Sequence, residues 1–179
     1  MRKMEKMNPR IEIIKEKKLI GYHINMNLIQ DKTGQLWGKF APKIKEIKNK
    51  ISQDKISMQI YPALYHSKFN PENEFEKWAT VEVNDFDNIP NGMNSFILKE
   101  GLYAVFDYKG SSSDHSIFQY IFNSWLPNST YLIDERPHFE VLGEKYQNND
   151  PNSEEEIWIP IKEKLMKTAL KYITPKYIF

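Results

Sequence analysis

The chain contains no cysteine. That excludes disulfides, thiolate nucleophiles and cysteine-based zinc sites, and it fits a reducing cytoplasm. An excess of charge is missing too: 25 Lys and Arg face 24 Asp and Glu, a formal net charge of +1. Such a balance gives no general attraction to nucleic acid or to an anionic membrane. No uninterrupted apolar run approaches the ~18–20 residues of a membrane span. The N-terminal MRKMEKMNPRIEII is basic but has no apolar core of signal-peptide length. The four histidines, His23, His66, His115 and His138, show no metal-ligand spacing, so surface or strand roles are expected and neither metal nor cofactor is implied. The expectation is a soluble cytoplasmic protein, and 179 residues suit one domain or two very small ones.

Aromatic residues are plentiful: ten Tyr, ten Phe and four Trp. Many belong in a core, but Tyr and Trp combine apolar area with a polar tip and also suit the wall of a ligand hollow.

Periodicity gives one order of elements twice. Residues 10–24, RIEIIKEKKLIGYHI, read as an extended segment bent near Gly21. Leu36, Phe40, Ile44, Ile47 and Ile51 then recur at helical spacing, with Asp31 or Thr33 as a cap and Pro42 near the start or at a kink. In KISMQIYPALYHSKF, Ile56, Met58 and Ile60 alternate with Ser57, Gln59, Tyr61, Ala63 and Tyr65. In EKWATVEV, Ala79, Val81 and Val83 alternate with Trp78, Thr80 and Glu82. After the turn Asn88-Ile89-Pro90-Asn91-Gly92 come a strand in FILKEGLYAVFDYKG, a helix in SSSDHSIFQYIFNSW, a strand in RPHFEVLG and a strand in EEEIWIPI. In that second helix Ile117, Tyr120, Ile121 and Ser124 share one side.

The pattern is β-α-β-β duplicated, an α+β fold with helices on an antiparallel sheet. The halves either join edge to edge or face each other about a pseudo-two-fold. Apolar strand faces take the helices, and the opposite faces meet or line a groove. Trp78 of the first half matches Trp158 of the second, and Tyr61 takes a place similar to that of Glu140. All four are expected to converge where the halves join. Glu140 is a carboxylate on a strand between Phe139 and Val141, so it faces either water or an apolar hollow.

Several short motifs carry nothing. GQLWGK has three residues between its glycines instead of four and has Phe40 in place of a magnesium-binding hydroxyl, so it is not a phosphate loop. SSSDHS caps a helix rather than forming a triad. No helix-turn-helix pattern is present. Residues after Ile161, KEKLMKTALKYITPKYIF, read as a short helix and an extended end that packs on the domain or on a partner.

MQIYPALYHSKFNPENEFEKWATVEV, GLYAVFDYKG, IFNSWLPNSTYLIDERPHFEVLGEKY and EEEIWIPI, in that order, resemble the GyrI-like family. These are effector-binding domains of AraC-type and multidrug-sensing regulators, also found as free-standing integron-cassette drug-binding proteins. The resemblance implies one effector-binding domain over 1–162, with repeats at about 10–85 and 95–162 and an extension at 163–179. It places Glu140 at the floor of a ligand hollow, facing the charge of a lipophilic cation. Tyr61, Trp78 and Trp158 become its walls, with Tyr120 from the second helix and Tyr103 also on the ligand side. Leu142 stands where the family often has an aromatic residue. With no DNA-binding module, such a chain is expected to bind a small molecule rather than act alone as a transcription factor. Two alternatives come with the family. One is a hydrolase of cyclopropane-bearing alkylating compounds, with Glu140 activating water and Tyr61 or Tyr103 as acid. The other is a protein-interaction module of the gyrase-modulator kind, working through the tail.

Overall fold

The structure is a computed structural model, and it describes residues 7–164. The tail helix expected beyond Ile161 therefore lies almost entirely outside the described residues. Among those residues no helix is long and apolar enough to cross a membrane.

Nine strands form one antiparallel sheet: β1 (Arg10–Ile14), β2 (Lys17–Met26), β3 (Lys55–Ile60), β4 (Phe75–Val83), β5 (Asn94–Leu98), β6 (Gly101–Lys109), β7 (Tyr131–Ile133), β8 (His138–Leu142) and β9 (Glu154–Glu163). The order across the sheet is β1-β6-β9-β8-β3-β4-β2-β5, with β7 added to the end of β9. The halves join edge to edge through β3 and β8. Met58 of β3 pairs with Trp78, and Phe139 of β8 pairs with Trp158. Met58 and Phe139 also pair with each other. The pseudo-two-fold therefore passes between them, and Trp78 and Trp158 are true equivalents. By the same register Gln59, not Tyr61, is the equivalent of Glu140.

Both long extended segments are broken. Residues 10–24 form β1 and β2, interrupted at Lys15–Glu16 rather than bent at Gly21, and FILKEGLYAVFDYKG forms β5 and β6, interrupted at Lys99–Glu100. Each short outer strand crosses to the other half: β1 pairs with β6, and β5 with β2. This crossing sets the shape. In a flat sheet β1 and β2 would lie six strand spacings apart, ~29 Å, yet only two residues connect them. The sheet must curl until its edges approach. Its concave face then carries one core drawn from both halves, including Ile14, Leu19, Met58, Trp78, Tyr103, Phe139 and Trp158.

The helices lie on the convex face. α1 (Thr33–Phe40) and the 3-10 turn Ala41–Glu46 pack Leu36 and Phe40 on Ile20, Ala79, Val81 and Val83. Pro42 starts the 3-10 turn, and the helical pattern ends at Ile47; Ile51 is exposed. Asp31 accepts the Thr33 amide at 2.8 Å. In the second half α2 (Ser116–Tyr120) continues through a π-helical turn, Ile121–Trp125, and packs Ile117 and Ile121 on Ala104, Phe106, Ile157 and Ile159. Asp114 accepts the Ser116 amide at 2.9 Å. No residue of β3 or β8 belongs to either helix-packed core. The strip of convex face over the two central strands, the trough, therefore lies between the two helix-packed cores, and its residues Ser57, Gln59, His138 and Leu142 are buried.

Candidate functional site

Side chains alternate along a strand, so β3 and β8 sort their residues onto two faces. Ile56, Met58, Phe139 and Val141 point into the concave core. Ser57, Gln59, Glu140, His138 and Leu142 point into the trough. The expected convergence of four residues does not occur: Glu140 and Tyr61 lie on the convex side, while Trp78 and Trp158 lie on the concave one. The reason is parity. Trp78 faces away from Ala79, Val81 and Val83, and those residues carry the helix.

Each tryptophan has a structural role. Trp78 Nε1 donates to Glu76 Oε2 at 3.1 Å and Trp158 Nε1 to Glu156 Oε2 at 3.0 Å, the same contact in each half. Trp158 stacks on Phe139 at 5.2 Å, and His23 stacks on Trp78 at 4.4 Å. Tyr103 is fully buried in the concave core. Its hydroxyl donates to the Pro137 carbonyl at 3.1 Å, and the Arg136 guanidinium lies over its ring. Tyr120 donates to the Met7 carbonyl at 3.1 Å, away from the trough. Leu142 is buried two residues along the strand from Glu140, and shares its face.

Glu140 is not a solitary anion. Oε1 accepts from Gln59 Nε2 at 2.9 Å, its pseudo-symmetric counterpart, and Oε2 lies 3.6 Å from Lys77 Nζ. Both charged side chains are largely buried, at 16% and 8% exposure. A second carboxyl, Glu155, feels the same pair. Burial, then repulsion from Glu140, pushes it up to about 7, with Lys77 acting in the opposite sense. Glu140 thus contacts the Lys77 ammonium, while Glu155 and Asp31 feel its charge.

Beside this cluster lies a stack of rings. The Tyr61 ring contacts Tyr65, His66, Phe75 and His138, with centroids 4.5–5.0 Å away. His66 and His138 stack at 5.0 Å, and Phe122 from the π-helical turn stacks on His66 at 5.3 Å. Burial holds His138 well below the ordinary histidine value, and the neighbouring His66 adds to that; burial also lowers His66. Burial, then Tyr65 and Glu140, raises the Tyr61 phenol, which stays protonated. A cavity of about 190 Å³ opens against Tyr61, Tyr65, His66 and His138. Tyr65 Oη and His66 Nε2, both buried, have no partner among the described residues.

Lys77, Glu155, Gln59 and the two histidines escaped the sequence reading. One signal was there. Lys77 interrupts the helix-facing row Phe75, Ala79, Val81, Val83, and a charge at such a position has to find a partner or a ligand.

The family model for Cass2, integron-associated effector binding protein, matches residues 10–161. The chain belongs to this family. It is 31% identical over 133 residues to the transcriptional regulator BrlR of Pseudomonas aeruginosa, covering 73% of this chain and 47% of the regulator. It thus spans about half the length of that curated relative. Among solved structures, SAV2435 bound to tetraphenylphosphonium superposes with a TM-score of 0.65 at 16% identity, covering 87% of this chain and 94% of the other. The Vibrio cholerae integron cassette protein VCH_CASS2 gives 0.60 at 14% identity, covering 87% and 96%. The EcmrR C-terminal domain gives 0.68 at 10% identity, covering 89% and all of that chain. At such identities the structural likeness establishes the shared fold.

Proposed function

We propose that the chain binds lipophilic organic cations in the trough over β3 and β8, with the ligand charge directed at Glu140 and Glu155. The observation that carries this reading is the charge imbalance there: Glu140 pairs with one ammonium, Lys77, while Glu155 feels both, on the strip of sheet between the two helix-packed cores. Burying such groups costs stability unless something compensates them. A cationic ligand supplies the missing charge, and Tyr61 offers an aromatic face worth ~0.5–2 kcal/mol in cation–π attraction. Leu142 adds apolar contact. Lys77 then acts as a tethered competitor that occupies Glu140 until a ligand displaces it. Trp78, Trp158, Tyr103 and Tyr120 are not part of this site. The tetraphenylphosphonium named with SAV2435 and the regulator role named for BrlR favour the same class, a unit that senses a small-molecule effector.

The test is a thermal-shift and calorimetric comparison of tetraphenylphosphonium with a neutral molecule of similar size. Saturable binding of the cation, lost in Glu140→Gln, is the expected result. Equal affinity for both molecules would refute the charge pairing.

A second reading rests on Glu155. A carboxyl near 7 exchanges protons at neutral pH and can serve as a general acid or base. If the trough hydrolyses a strained-ring substrate, product exceeds one equivalent of protein and disappears in Glu155→Gln. Saturation with unchanged ligand leaves binding alone.

A further inference from the structure

The concave face holds a second and larger cavity, of about 560 Å³. It opens at the end of the curl where β1 turns into β2. Its floor is apolar: Ile14, Ile56, Phe139, Val141 and the edge of Trp158. Its mouth is acidic: Glu12, Glu16, Asp54, Glu82 and Glu156 line it together with Lys15 and Lys17. Some of these charges are already used. Lys17 holds Glu82 at 2.8 Å, and Arg10 holds Glu12 at 2.6 Å and Glu156 at 2.5 Å. Glu16 and Asp54 have no ion-pair partner among the described residues. The volume lies within the ~300–1,000 Å³ usual for small-molecule sites.

We propose that this cavity is a separate binding site for apolar primary amines, with the tail against Trp158 and Phe139 and the ammonium at Glu16 and Asp54. Its chemistry inverts that of the trough. In the trough the carboxylate lies at the floor, so a ligand must bury its charge. Here the floor is uncharged and the carboxylates ring the opening, so an ammonium keeps its water while the tail leaves solvent. A delocalised, bulky cation suits the first arrangement, and a linear amine with a compact, strongly hydrated head suits the second. The site depends on the strand exchange, because Ile14 and the Lys15–Glu16 link reach the second half only through the β1–β6 pairing.

The probe is 4-phenylbutylamine, with 4-phenylbutanol as its uncharged counterpart, followed by calorimetry and by the tryptophan indole N–H resonances, assigned through Trp→Phe variants. The amine is expected to shift the Trp158 indole resonance saturably and to do so equally in Glu140→Gln. Val141→Phe, which fills the cavity, is expected to abolish the shift. The surface double variant Glu16→Gln/Asp54→Asn is expected to weaken the amine at least tenfold and the alcohol less than twofold. An unmoved Trp158 resonance, a shift that survives Val141→Phe, or equal weakening of amine and alcohol overturns the proposal. Tetraphenylphosphonium binding in the same variants reports on the trough separately.

Discussion

Lys77 and Glu140, on neighbouring halves of the sheet, meet across the pseudo-two-fold with 3.6 Å between ammonium and carboxylate. That distance is long for a tight ion pair.

Lys77→Met is therefore expected to have opposite effects on stability and binding. Removing one partner of a buried pair leaves the other uncompensated, which costs about 3 kcal/mol. The same change removes the competitor, so affinity for tetraphenylphosphonium should rise. Denaturant melts and calorimetry on one preparation measure both. A fall in both would mean that Lys77 supports the ligand rather than competing with it.

Glu140→Gln keeps the Gln59 contact but loses the charge. Cationic ligands should weaken by about 1.5–3 kcal/mol, the usual worth of a charge-assisted contact, with neutral ligands of equal size nearly unaffected.

Glu155 sets the pH dependence. Its folded value, about 7, lies above the ordinary glutamate value of 4.5. The folded state thus retains a proton that the unfolded state releases, so its contribution to stability is present below about 4.5 and is lost as pH rises to about 7. Ligand binding runs the other way. Cation affinity should increase as pH rises through 7, and binding near pH 7 should release a proton, visible as a dependence of the calorimetric heat on buffer ionisation enthalpy. Glu155→Gln should flatten both trends.

His138 gives the opposite slope. Its lowered value means that the unfolded state takes up a proton below about 6.5 that the folded state refuses. Stability from this group is present above that pH and is lost as pH falls. A His138→Phe variant should unfold less readily than the parent on acidification, measured as the change in melting midpoint between pH 7.5 and pH 5.5. An unchanged difference would show that His138 is protonated in the fold.

The two core tryptophans yield a stability effect instead of a binding one. Trp78→Phe/Trp158→Phe removes two indole–carboxylate hydrogen bonds and should cost about 1 kcal/mol for each, with tetraphenylphosphonium affinity retained. Loss of that affinity at unchanged stability would return the tryptophans to the ligand wall.

The duplication, the helix-facing rows and the equivalence of Trp78 and Trp158 were legible because alternation and helical spacing are local, and each half repeats them. The strand neighbours of Glu140 left water or an apolar hollow open, and only the tertiary structure showed it largely buried beside Gln59 and Lys77. Residue order could not reveal that β1 and β5 trade halves, since nothing local distinguishes a strand that pairs with its own unit from one that crosses. That exchange curls the sheet and creates a packed concave face, which took the tryptophans for the core. Nor could residue order reveal that Lys77 sits beside Glu140, because the contact depends on the register of β3 between β4 and β8. Local chemistry decided which residues form strands and helices; long-range pairing decided which charges face each other.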